Sequence, residues 1–89
     1  MVSSMLFNAK INIMPLKELL DPQGKAINQV LNNNLGLTKI ANIRIGKHIT
    51  MQVEANTAEE AESMVKESCE KLLCNRVMEH YMFEINPFN

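Results

Sequence analysis

The stretch Thr57-Ala-Glu-Glu-Ala-Glu-Ser-Met-Val-Lys-Glu-Ser-Cys-Glu-Lys-Leu-Leu73 is the best-defined element of this 89-residue chain. Thr57 and Glu60 make a capping box, in which the threonine oxygen takes the amide three residues on and the glutamate returns to the threonine amide. Behind it Ala61, Met64, Val65, Ser68, Cys69, Leu72 and Leu73 recur at 3.6-residue spacing, with Glu59, Glu62, Glu67 and Glu70 among the outward positions. The spacing predicts an amphipathic helix that closes at Asn75. On both sides the period changes to two. Upstream, Ala41, Ile43 and Ile45 alternate with Asn42 and Arg44; after Gly46-Lys47, Ile49, Met51 and Val53 alternate with Thr50, Gln52 and Glu54, which predicts a hairpin. Downstream, Val77, Tyr81, Phe83 and Ile85 alternate with polar neighbours as a last strand, stopped by Pro87.

The N-terminal half repeats this plan. Phe7, Ala9, Ile11 and Ile13 point one way and Asn8, Lys10, Asn12 and Met14 the other, the signature of a half-buried strand. At Asp21-Pro22 a helix begins, because Asp can accept the free amides of a first turn and Pro has no amide to leave unpaired. Ala26, Ile27, Val30 and Leu31 form its apolar stripe, and Asn32-Asn33-Asn34 with Gly36 end it after about thirteen residues. Gly24 inside that first turn costs roughly 1 kcal/mol relative to Ala, an expense that close approach of another backbone would explain. The resulting order, strand, helix, strand, strand, helix, strand, allows both crossovers to be right-handed. It predicts an α+β fold: a ferredoxin-like βαββαβ two-layer sandwich, with a four-stranded antiparallel sheet and two helices on one face. One domain is expected over residues 7–86, with a flexible extension at 1–6 and a tail at 87–89.

A composition of 46% hydrophobic and 21% charged residues with a net charge of -1 excludes a disordered chain and gives no overall attraction to polyanions, so nucleic acid is not an expected partner. The near-zero total hides a split: residues 1–50 carry six basic and two acidic side chains, residues 51–89 three and eight. Such a division can favour head-to-tail or hetero-association. A domain of this size has thin stability unless something adds to it, and two cysteines with two histidines make a poor set of staples. Self-association is the remaining candidate. No stretch approaches the roughly 18 apolar residues of a membrane helix, and Met1 to Phe7 lack the basic leader and apolar run of a secretory signal. The expectation is a cytoplasmic chain with no membrane contact.

The residues that could carry chemistry have plain alternatives. Cys69 lies mid-helix on the apolar stripe among acids that would raise its pKa, which suits a small core residue and not a nucleophile. Cys74, five positions on, would sit about 140° around an α-helix from it, more exposed and unable to pair with it. His48 and His80 have no carboxylate or cysteine at metal-ligand spacing. Met14, Met78 and Met82 suggest an apolar patch on the open sheet face, better suited to an interface than to a cofactor pocket. Arg44-Ile-Gly-Lys47 reads either as a solvated turn or as a contact for phosphate or carboxylate, since Arg offers a planar fork of donors and Lys a point charge. With glycines only at 24, 36 and 46, no phosphate-binding loop of the G-x-x-x-x-G-K-[ST] kind exists. No catalytic, cofactor-binding or metal residue is assigned.

Taken together, Leu20-Asp-Pro-Gln-Gly24, Ile43-Arg-Ile-Gly-Lys47, Cys69-Glu-Lys-Leu-Leu73 followed by Asn75 and Val77, and the Glu79 to Glu84 strand resemble the small PurS-type subunit of phosphoribosylformylglycinamidine synthase. The resemblance runs from about Ala9 to Ile85. It implies a part in de novo purine biosynthesis, in a complex where a glutaminase subunit releases ammonia and an ATP-dependent synthetase subunit consumes it. The small subunit is similar to a non-catalytic bridge that supports ammonia transfer, self-associated as a homodimer or homotetramer, with ATP and magnesium belonging to the synthetase partner. Asp21, Gln23, Gly24, Arg44, Gly46, Lys47, Met14 and Met82 are the contact positions this reading selects. The rival reading is a ferredoxin-like small-molecule-sensing module with its ligand at a dimer interface. An RNA-binding version of the fold is disfavoured because the outward positions Asn8, Lys10, Asn12, Thr50 and Gln52 offer no aromatic ring for base stacking.

Overall fold

The strand expected at the N-terminus becomes the centre of the sheet. In the computed structural model, which describes residues 4–88, β1 (Met5–Pro15) pairs antiparallel with β2 (Lys47–Ala55) on one side and β3 (Glu79–Pro87) on the other, in the order β2-β1-β3. Ile11 lies opposite both Ile49 and Phe83, and Ala9 opposite Met51 and Ile85, so alternate residues of all three strands share one apolar face. Across that face runs α2 (Ala58–Ser68), capped by the Thr57 oxygen accepting from the Glu60 amide at 3.1 Å. Ala61 and Val65 of α2 join Phe7, Ala9, Ile11, Ile13, Val53 and Ala55 as the buried core. The opposite face of the sheet is open and polar: Asn12 faces His48, with 2.6 Å between Oδ1 and Nδ1, and Lys10 faces Thr50.

Three expectations are corrected. The sheet has three strands, not four, because Ala41 to Ile45 do not pair with β2. A hairpin there needs the chain to turn back at Gly46-Lys47; instead it runs straight on into β2, and the Ile45 amide is held by the Asp21 carboxylate. Nor do both helices share a face. Helix α1 (Pro22–Asn33) starts at Asp21 as expected, but it projects beyond the end of the sheet on the segment between Pro15 and Lys47 and has no substantial packing against any strand or α2. The molecule therefore measures 63 × 30 × 14 Å, with a radius of gyration of 17.6 Å where a compact chain of this length would have about 12 Å. Finally, Met5 and Leu6 are not loose: they pair with Ala55 and Glu54, and the Phe88 amide donates to the Leu6 carbonyl at 2.8 Å. Of the rest of the expected extension, Ser4 donates through its hydroxyl to the Glu54 carboxylate at 2.9 Å, and Met1 to Ser3 lie outside the described residues.

The second helix also ends differently from its sequence pattern. After Ser68 it widens into a π-helical turn (Cys69–Leu73), closed by the Cys74 amide donating to the Cys69 carbonyl at 2.9 Å. A π-turn closes over five residues, so Cys74 swings back beneath the helix and is buried with Cys69 instead of exposed. Burial pushes both thiols above their ordinary value, and each is an inert core group in this setting. Val77, expected in the last strand, lies exposed in the turn from Asn75 to Met78 that leads into β3. Ile11 is 0% exposed at the centre of the sheet. We expect Ile11→Ala to cost about 2–5 kcal/mol, seen as a lowered urea midpoint at unchanged m-value.

Candidate interface site

Five of the eight contact positions selected from sequence converge where the arm carrying α1 joins the sheet. One oxygen of Asp21 accepts from the Gly24 amide at 3.1 Å and the other from the Ile45 amide at 2.8 Å. Arg44 lies beside that carboxylate, 3.9 Å from Nε to Oδ2, and its two terminal nitrogens donate to the carbonyls of Leu19 at 3.1 Å and Leu16 at 2.8 Å. These bonds tie the loop after β1, the start of α1 and the approach to β2 into one knot. Gly24 is buried in it: a Cβ there would run into the Ile43 carbonyl oxygen and meet Asp21 Oδ2 at 2.9 Å. That carbonyl is the close backbone for which the helix accepts a glycine. Gly46 is the counterpart on the other side, since a Cβ would strike the Met14 sulfur and the Ile13 carbonyl.

The knot holds the Asp21 carboxyl below its ordinary 3.8, first through the Ile45 amide, then the Gly24 amide, with Arg44 adding to both against a partial desolvation. Above it opens a cleft of 690 Å³ whose walls include Lys17, Lys25, Asn28, Asn42 and Arg44. A smaller one of 280 Å³ lies on the β3 side, between Gln23, Gly46, Lys47 and Glu79. Lys47 approaches Glu79 at 3.6 Å, both near the mouth of this second cleft. Gln23 is exposed there, whereas Met82 stands apart on the open sheet face. The structure thus makes Asp21, Gly24, Arg44, Gly46 and Met14 neighbours, puts Gln23 and Lys47 on their rim, and leaves Met82 separate.

Sequence reasoning missed two features. Asn42 adopts φ of 59°, the left-handed region that Asn tolerates better than most residues, and so breaks the extended run that Ala41, Ile43 and Ile45 imitate. An Asn inside a candidate strand was the available signal. The other is a cluster at the π-turn: Tyr81 donates to Glu70 at 2.7 Å, Arg76 pairs with Glu70 at 3.4 Å, and its guanidinium lies 5.7 Å from the centre of the Tyr81 ring. The Tyr81 hydroxyl lowers the Glu70 pKa, helped by Arg76, and Glu70 in return raises that of Tyr81. Nothing in the local pattern joins residues 70, 76 and 81, which sit on the π-turn, the turn after it and β3.

The chain matches the model of the PurS family, described as phosphoribosylformylglycinamidine (FGAM) synthase, over residues 8–87. It belongs to that family. The PurS subunit of phosphoribosylformylglycinamidine synthase from Thermotoga maritima is 40% identical over 76 residues, covering 85% of this chain and 92% of that one. The crystal structure of the Thermotoga maritima PurS subunit superposes with a TM-score of 0.83 at 36% identity over 97% of this chain and 95% of that one. A PurS-like chain in the structure of PurLQS from the same organism gives 0.82 at 37% identity, over 93% and 98% respectively. The three-stranded sheet and projecting helix are therefore those of a PurS subunit, and the chain is an accessory subunit of FGAM synthase.

Two outcomes follow for the knot. Gly24→Ala should lower stability by about 1–3 kcal/mol by calorimetry or urea titration, because overpacking against a backbone carbonyl outweighs the gain in helix propensity. Because the folded Asp21 carboxyl titrates below 3.8, the stability it adds is complete above that pH and drains away as pH falls through the depressed value. Asp21→Asn should lower the melting temperature at neutral pH and flatten its fall below about pH 4.

Proposed function

We propose that this chain bridges the glutaminase and the ATP-dependent synthetase of FGAM synthase, supports ammonia transfer between them, and works as a homodimer or homotetramer. The observation that carries this reading is its overlap with the PurS-like chain of PurLQS over 93% of its length. Two physical features support it. The knot spends the charged groups of Asp21 and much of Arg44 on the chain's own backbone, an arrangement that fixes a shape. The arm it fixes presents Leu20, Ile27, Val30, Leu35 and Leu37 as exposed apolar side chains, the kind of surface a partner subunit can cover.

In this reading Gln23, Lys47 and Met82 meet the other subunits, while Asp21, Gly24, Arg44, Gly46 and Met14 hold the contact surface in shape behind them. ATP and magnesium are handled by the synthetase partner. Ammonia passing between sites has to be kept from water and protonation, and well-packed subunit contacts provide that exclusion.

Reconstitution tests the reading. With synthetase and glutaminase fixed and this chain titrated in, glutamine-dependent amidine formation should rise to saturation, while turnover with ammonium supplied directly should depend on the chain less. Lys47→Glu should raise the amount needed for half-maximal glutamine-dependent activity without altering the folded far-UV spectrum. Glutamine-dependent turnover that is independent of added chain would overturn the bridging role.

A further inference from the structure

The cleft above the Asp21 knot has walls whose charge and shape select a class of ligand. We propose that it binds a phosphate monoester of a small polyol, such as a sugar phosphate. Its 690 Å³ fall within the range of roughly 300–1,000 Å³ typical of small-molecule sites, and a bare inorganic ion would leave most of that space to water. Three cations line it from three segments: Lys17 from the loop after β1, Lys25 from the start of α1, and Arg44 from the approach to β2. Lys17 and Lys25 take part in no ion pair among the described residues. Arg44 gives one donor each to the Leu16 and Leu19 carbonyls and keeps the others, with its side chain 30% exposed. The carboxylate on the wall, Asp21, already has an amide on each oxygen, and the three cations outweigh it.

Cations spread over three sides suit the tetrahedral oxygens of a phosphate better than a planar carboxylate, for which one guanidinium fork suffices. The amides at the start of α1 do not compete for this part, since the Asp21 carboxylate takes that of Gly24 and the Asp21 carbonyl that of Lys25. Side chains do the reading. The rest of the wall selects what the phosphate is attached to. Leu19 and Ile43, both half-buried, supply an apolar strip against which a carbon skeleton can lie. Asn28 brings a side-chain oxygen that is buried and has no hydrogen-bond partner in the chain. Such an acceptor costs stability while unmet, and the hydroxyl of a bound polyol is a donor that would meet it. Asn42, on the same wall, holds φ at 59°, a sparsely populated backbone state of the kind that gathers at ligand clamps. All these groups belong to one chain, so the site needs neither the bridging role nor the oligomer proposed above.

Calorimetric titration of the purified chain with ribose 5-phosphate, inorganic phosphate, ribose and acetate tests the site, with NMR shifts of the Asn28 and Asn42 side-chain amides to locate it. Ribose 5-phosphate should bind, shift both amides, and weaken as salt is raised. Inorganic phosphate should bind about tenfold more weakly, and ribose and acetate more weakly still. Lys17→Ala and Lys25→Ala should each weaken ribose 5-phosphate by about fivefold, as loss of an exposed cation does, with the ligand-free melting temperature unchanged. Asn28→Ala should narrow the gap between ribose 5-phosphate and inorganic phosphate. No binding of ribose 5-phosphate, or binding that the Lys17→Ala, Lys25→Ala double variant leaves intact, overturns the site. Inorganic phosphate binding as tightly as the ester overturns the polyol part, and acetate binding as tightly overturns the preference for phosphate and makes the cleft a seat for carboxylates.

Discussion

The architecture depends on where one carboxylate puts its two oxygens. Asp21 receives the Gly24 amide with one and the Ile45 amide with the other, and the second bond joins segments 24 residues apart. It ties the stretch before β2 to the start of α1 at the end of the sheet, where the chain enters β2. The backbone amide of Ile45 would otherwise be an unmet donor, and a charged acceptor satisfies it more strongly than a neutral carbonyl could. Arg44 secures the arrangement from the far side by gathering the carbonyls of Leu16 and Leu19.

That constraint also explains which parts of the fold were legible in the sequence. The capping box at Thr57 and the alternation from Phe7 to Ile13 report interactions made within a few residues or with a whole face, and both elements form where the pattern puts them. Alternation at Ala41, Ile43 and Ile45 was misleading because a period of two records which side is packed and not whether a neighbouring strand exists. Cys74 was misplaced for a related reason: a 3.6-residue projection holds only while the helix keeps its pitch, and the pitch changes at Cys69. The fourth strand is interrupted at Asn42, whose left-handed φ was signalled by the residue type, and the Ile45 amide is taken by Asp21, a long-range contact that no local pattern encodes.

The candidate site was legible as a set of positions and not as a set of roles. Gly24 was singled out because a glycine in a first helical turn is expensive, and the Ile43 carbonyl beside it shows why it is there. Arg44 and Lys47 looked alike as the cations of a short basic turn, yet one faces inward onto carbonyls and the other reaches Glu79 near the surface. Membership of the PurS family places these positions in an accessory subunit of FGAM synthase, and the knot they form fixes the shape of its arm.

The π-turn works as a counting device. It behaves as an α-helix into which a single residue has been inserted, shifting the phase of everything after it. The wide turn brings the chain back on itself, so that Cys74 lies in the core with Cys69 at that end of the helix. With ordinary pitch, position 74 would stand about 140° around the axis from position 69 and its thiol would face away from the core. The widened turn thus serves as a plug, closing an end of the core that a regular helix would leave open.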